Sequence, residues 1–217
     1  MFQNRADAGA QLAKKLGRYK DTDAVVPALP RGGVVTGYEI AHTLGLPLDI
    51  VAVRKIGHPT NSEYAIGAVD EHGTTLLNEA ETKTVDQSWL REEIERQKTE
   101  AQRRSTAYRN GKQPTPLLGK TVIITDDGIA TGLTMRLAVR SVKAWKPEKI
   151  VVAVPVAPAG AMRALKDEGA DEVVVIEPPE EFMGAVGAHY AQFEQVEDGE
   201  VIKLMQAAYG EKGTHTG

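Results

Sequence analysis

Between residues 24 and 176, short apolar runs alternate with stretches whose apolar positions recur at helical spacing. Runs rich in Val, Ile and Ala at 24–29, 48–53, 122–124, 150–154 and 172–176 predict strands. Among them, Val34, Val35, Tyr38, Ile40, Ala41 and Leu44 mark a helix ending near Gly45. Met135, Ala138, Val139 and Val142 mark another, and 159–166 fits a short third. Strands alternating with helices imply an α/β fold with a mainly parallel sheet.

The remaining stretches read as additions to that core. Ala6, Ala10, Ala13 and Leu16 line one face of a packing helix from which Lys14 and Lys15 turn away. Residues 56–64, with Gly57, Pro59, Asn61 and Ser62, read as a mobile loop. Residues 65–69 and 74–77 read as a β-hairpin, whose turn gives His72 no chemical role. From 84 to 109 the chain is densely charged, and Val85, Trp89, Leu90 and Ile94 are its main apolar points. Glu92 with Arg96, and Glu100 with Arg104, stand four apart, which predicts a long, mostly solvated helix with Arg96, Lys98, Arg103, Arg104 and Arg109 on its surface. Packing against another subunit is a second use for it. Residues 110–116 break it, 201–209 fit a last helix, and 210–217 read as a frayed tail.

Composition narrows the classes. Acidic residues exceed basic ones by four, and the charged helix interleaves glutamates, so neither predicts nucleic-acid binding. Without cysteine there is no disulfide, thiol nucleophile or thiolate metal site, which suits the cytoplasm. The N-terminal stretch lacks the apolar core of a signal peptide, and the longest uncharged run, 150–162, is too short to span a bilayer. The expectation is a soluble, cytoplasmic protein with no membrane partner.

Candidate chemistry concentrates at 122–135, where an apolar run delivers Asp126 and Asp127 and is followed by the small and hydroxyl residues Gly128 to Thr134 and then a helix. Small residues let the backbone approach an anion, Thr131 and Thr134 offer hydroxyls, and the helix start turns unpaired N–H groups toward it. Two carboxylates would repel a bare anion, so they suit hydroxyls or a divalent metal carried by the same ligand. A nucleoside-triphosphate P-loop fits poorly, since no Gly-Lys-Ser/Thr follows the glycines, and two acids stand where a dinucleotide fingerprint needs G-x-G. The plain alternative is a buried strand ending in an acidic turn and a helix cap. A second strand-loop-helix site is Pro30-Arg31-Gly32-Gly33, weak alone, in which Arg31 supplies a forked cation and the glycines permit close backbone approach. Arg54 and Lys55 close the run at 48–53, where ligands of parallel sheets collect.

The run Asp126-Asp127-Gly128-Ile129-Ala130-Thr131-Gly132-Leu133-Thr134 resembles the phosphoribosyl-pyrophosphate motif of type I phosphoribosyltransferases. The resemblance covers roughly 24–176 and implies a five-stranded core of order 3-2-1-4-5 in a single domain, 1–217. Around the core at about 24–176 would lie a lid and hairpin at about 54–78, a helical insertion at about 84–109 and a C-terminal hood at about 178–209. It implies 5-phosphoribosyl 1-pyrophosphate as donor. Its 5′-phosphate would meet Gly128, Ala130, Thr131, Gly132, Leu133 and Thr134, its ribose hydroxyls Asp126 and Asp127, and its pyrophosphate Arg31, Gly32, Gly33 and the basic lid residues Arg54 and Lys55. Mg²⁺ would reach Asp126 and Asp127, through water if not directly. Arg31, Lys55, Asp126 and Asp127 are the implied catalytic set, acting on a nucleobase or similar nitrogen acceptor in a homodimer or higher homo-oligomer.

Two cues about the acceptor disagree. Residues 181–193 loosely resemble the hood of hypoxanthine-guanine phosphoribosyltransferases, with Phe182 or Tyr190 stacking on the base. Yet those enzymes carry an aspartate, their proposed proton acceptor, where this loop has Ala130, so the loop looks more like the adenine type. The loop weighs more, because its alignment needs no gaps, and the acceptor stays open. On the same fold, a regulator that senses phosphoribosyl pyrophosphate or nucleotides without turnover is the alternative function.

Overall fold

The computed structural model describes residues 1–210; the tail expected at 210–217 lies outside the described residues from 211 onward. Strands β1 (Val26–Ala28), β2 (Leu48–Ile50), β6 (Thr121–Thr125), β7 (Lys149–Val154) and β8 (Glu172–Val175) form one parallel sheet in the order β2-β1-β6-β7-β8. Its strands are short apolar runs because both faces are covered. Val122 and Ile124 of β6 pack under α5 (Leu133–Lys143) and α6 (Ala159–Glu168). Ile123 points the other way, into a core shared with α1 (Arg5–Lys15), α2 (Gly32–Leu44) and α7 (Asp198–Gly210).

The strand order departs from the expected 3-2-1-4-5. Counted along the sheet's own strands it is 2-1-3-4-5, with β2 at the edge. The chain after β2 does not add a further parallel strand. It turns at Val51 and Ala52 into a separate antiparallel sheet of β3 (Val53–His58), β4 (Asn61–Asp70) and β5 (Thr75–Leu77). The hairpin expected at 65–77 is present as β4 and β5, but the mobile loop expected at 56–64 is not a loop. It is strand, two-residue turn and strand, with register shifts around Gly57. Cross-strand pairing overrides a composition that reads as coil. In the turn after β4, Asp70 accepts from the backbone N–H groups of His72 and Thr74 and from the Ser141 hydroxyl, which fixes the loop to α5.

The short α3 (Glu79–Thr82) leads to α4 (Gln87–Arg109), which Asp86 caps by accepting from the Trp89 N–H at 2.8 Å. This helix is not mostly solvated. Leu90, Glu93, Gln97, Ala101, Ser105 and Tyr108 form a buried stripe against the small sheet, β2 and α7. Arg109, expected on the surface, is buried: its Nε donates to Asp49 at 2.9 Å and its Nη2 to the carbonyl of Ile50 at 2.9 Å. Arg96 pairs with Glu93 rather than Glu92, while the Glu100–Arg104 pair forms as the spacing predicts. No helix of the described residues is long and apolar enough to cross a membrane.

Candidate functional site

Adjacent strands β1 and β6 bring the two glycine loops together at their carboxyl ends. Ala28 is in register with Thr125, and the Leu29 N–H donates to the Thr125 carbonyl at 2.9 Å. From there the chain leaves β1 through Pro30-Arg31-Gly32-Gly33 into α2, with a cis peptide between Pro30 and Arg31. It leaves β6 through Asp126 and Asp127. This is the point where neighbouring strands send their connections to opposite faces, the usual ligand crevice of an open α/β sheet.

The loops touch. A Cβ on Gly32 would stand 1.9 Å from Oδ2 of Asp127, and one on Gly33 2.8 Å from Cα of Asp126. Any side chain at either position would part the acid pair from the other loop. Asp126 accepts the Asp127 N–H at 2.8 Å, and burial, followed by the charge of Asp127, pushes its carboxyl well above the ordinary carboxylate range. Asp127 is held on two sides. Its Oδ2 accepts from Nε of Arg5 at 2.6 Å, and its carbonyl accepts from the Tyr190 hydroxyl at 2.5 Å.

Beyond the acids, the Ile129 N–H donates to the Val156 carbonyl at 2.9 Å and anchors the loop to the end of β7. Gly132 takes the left-handed conformation (φ 81°) that lets the backbone turn into α5, whose first N–H groups then lack helical acceptors. Gly128, Ile129, Ala130, Thr131, Gly132 and Thr134 line a pocket of about 250 Å³ that Lys55, Ala65 and Val186 complete. Lys55 is thus brought from β3 to the loop, as the sequence suggests for a lid residue.

Arg54 is not. Consecutive strand residues face opposite ways, and Arg54 points toward α4, donating to Gln97 at 3.0 Å. Burial, then the neighbouring charge of Arg104, lowers its pKa. It lines a second pocket of about 380 Å³ with His58, Trp89, Glu93, Arg96 and Gln97, which Lys55 also borders from its other side. That pocket is larger, but the glycine loops take no part in it, and the candidate site is the smaller one. Arg31 leans toward the start of α7, with Nη1 3.5 Å from Asp198 and 3.7 Å from Glu197.

The aromatic residues expected to stack on a base do not form an open platform. Tyr190 is only 6 % exposed; its ring packs against Phe2 and Phe193 with centroids 5.4 and 4.9 Å away. Phe182 stacks on His189 at 5.4 Å. Sequence reasoning missed Arg5, which reaches the site from a helix with no motif of its own, and within the expected hood it singled out Phe182 and Tyr190 rather than Val186. Among the described residues no group of three or more His, Cys, Asp or Glu side chains could hold a metal. The donor set therefore fits Mg²⁺ only as an ion that a ligand's own oxygens bring in, with Asp126 and Asp127 beside it.

A family model described as the phosphoribosyl transferase domain matches residues 2–192. Over 211 residues, 96 % of this chain, the sequence is 38 % identical to a protein of Mycobacterium tuberculosis (strain H37Rv) whose provisional name is phosphoribosyl transferase. The chain spans about half the length of that relative, 47 %. Among solved structures, TT1426 from Thermus thermophilus is 40 % identical and superposes with a TM-score of 0.76, covering 95 % of this chain and 98 % of that one.

Proposed function

This chain belongs to the phosphoribosyl transferase domain family, and on that premise we propose that it transfers a phosphoribosyl group from 5-phosphoribosyl 1-pyrophosphate to a nucleobase or similar nitrogen acceptor, releasing pyrophosphate. The contact between Gly32-Gly33 and Asp126-Asp127 carries the reading, because it sets a second glycine loop against the acid pair that leads into the first. In this reading the loop from Gly128 to Thr134, opening α5, takes the 5′-phosphate, and Asp126 and Asp127 accept from the ribose hydroxyls. Lys55, at the edge of the same pocket, and the backbone at Arg31 to Gly33 face the pyrophosphate. Arg31 would leave Asp198 and Glu197 for it, and Arg54 is withdrawn to a supporting place against α4.

Asp126 and Asp127 would be the residues to meet an Mg²⁺ ion accompanying the donor, and such an ion would neutralise charge on the pyrophosphate. Charge that develops on the ribose as pyrophosphate departs resembles that of glycosyl transfer in general. Alignment of an acceptor nitrogen and exclusion of water then carry the rate, and no side-chain nucleophile is needed. Burial of Tyr190 removes it from base stacking, which leaves Val186 at the pocket edge as an apolar neighbour for the acceptor.

The proposal extends to a cytoplasmic homo-oligomer, in keeping with the cysteine-free sequence. Light scattering on the purified chain measures the assembly, and a monomer at working concentration removes that part. Calorimetry with 5-phosphoribosyl 1-pyrophosphate and Mg²⁺ tests the donor; absence of binding overturns the reading. Pyrophosphate release across purines, pyrimidines and other amines then identifies the acceptor. Silence across that panel with binding intact would make the chain a sensor of the donor.

A further inference from the structure

Arg5 occupies the first turn of α1, where a cation meets the positive end of the helix dipole. Such a place is unfavourable unless specific partners compensate. Three do. Nε donates to Oδ2 of Asp127 at 2.6 Å, Nη1 donates to the Glu194 carbonyl at 2.8 Å, and the guanidinium carbon lies 3.8 Å from the centroid of the Phe193 ring. Both charges are largely shielded, with side-chain exposures of 12 % for Arg5 and 17 % for Asp127. Oδ2 of Asp127 is also the atom 1.9 Å from where a Cβ on Gly32 would stand. The ion pair therefore sits on the seam between the two glycine loops, built by residues 122 positions apart.

We propose that Arg5 is a positioning residue for the donor site. By holding one carboxylate oxygen, it fixes Asp127 against the Gly32 backbone and sets the orientation in which the acid pair meets the ribose hydroxyls. It also offsets the charge of Asp127 beside a second carboxylate. The inference rests on the donor reading of the site. Exposed ion pairs contribute little because their partners wander; this one cannot wander, since Phe193 covers a face of the guanidinium while Glu194 holds its far end. Only the planar fork holds the carboxylate fully in place. A lysine ammonium can reach Asp127 but cannot stack on the ring and bond two acceptors in fixed directions.

The variants Arg5→Ala, Arg5→Lys and Phe193→Leu separate this role from a structural one, the last two being the milder changes should Arg5→Ala fold poorly. Titration of 5-phosphoribosyl 1-pyrophosphate with Mg²⁺ should show Kd raised roughly 10- to 100-fold for Arg5→Ala, the range expected when a binding group is misplaced. Arg5→Lys should recover part of that loss. A lowered melting temperature with Kd unchanged in all three variants overturns the inference. Crystal structures of the ligand-free wild type and Arg5→Lys give a second readout that needs no donor. The Asp127 carboxylate should leave its place over Gly32 in the variant, and a carboxylate that stays put overturns the proposal. If the wild type binds no donor, the functional reading falls, while the crystal comparison still decides the role of Arg5.

Discussion

A methyl group at Gly32 would stand 1.9 Å from Oδ2 of Asp127 and 2.9 Å from Nε of Arg5. Gly32→Ala should therefore separate the loops and weaken donor binding by at least about tenfold, while overpacking costs about 1–3 kcal/mol of stability. Calorimetry and urea denaturation read the two effects separately. Thr125, the last residue of β6, is fully buried, and its hydroxyl has no hydrogen-bond partner among the described residues. Thr125→Val should thus be neutral or stabilising by up to about 1 kcal/mol, since it removes a desolvated group that gains nothing. A clear loss in urea stability would mean that the hydroxyl has a partner in solution. At this scale the sequence discloses the acid pair and the glycines well, because their chemistry is local. It says nothing of Arg5, whose partner is set by the meeting of chain segments far apart in sequence.

Among the elements, the long helix α4 shows where periodicity misleads. Its buried stripe follows helical spacing, but Glu93, Gln97 and Ser105 occupy positions that an apolar pattern would fill with Leu or Ile. Hydrogen bonding makes those residues tolerable inside: Gln97 donates to Glu93 at 2.8 Å and accepts from Arg54 at 3.0 Å. Burial works against the Glu93 charge, yet the bonds from Arg96 and Gln97 hold its carboxyl below the usual range. Satisfied polar groups leave no trace in a hydropathy pattern. The strands of the parallel sheet were legible for the opposite reason, as both their faces need apolar side chains. Misreading β3 and the start of β4 as a loop came from turn residues inside a paired ribbon. Arg109 closes the helix in the interior, and Arg109→Met would leave Asp49 buried without its cation. That change should cost about 3–5 kcal/mol in urea denaturation, and a second change of Asp49→Asn should recover part of it.

In the whole molecule, charge ties α4 to α7 across the side of the sheet. Nη2 of Arg103 donates to Asp198 at 2.8 Å and Nε to Glu100 at 2.7 Å, and Tyr108 donates to Asp198 at 2.7 Å. The Arg103 hydrogen bond, opposed by burial, brings Glu100 down to about 2 from an ordinary 4.5. A depressed carboxylate contributes stability that is present above its unfolded value and lost as pH falls through its folded one. Melting temperature should accordingly fall between pH about 4.5 and about 2, and Glu100→Gln should flatten that limb by lowering the melting temperature at neutral pH while leaving the acid end nearly unchanged. An identical acid limb in the variant would assign the loss to other carboxylates. Replacing both Asp126 and Asp127 by Asn tests the site at the same scale. Donor binding should vanish in calorimetry while the protein still folds, and surviving binding would remove the pair from the proposed mechanism.

Asp127 is gripped from both ends of the described chain, by Arg5 near its start and by Tyr190 toward its finish. A fragment trimmed to 24–176 would keep all five parallel strands and both glycine loops, yet it would lose both grips. The smallest portable unit is then the sheet together with its two straps. A recombinant that inherits the loops alone inherits a vocabulary without the grammar that orients it.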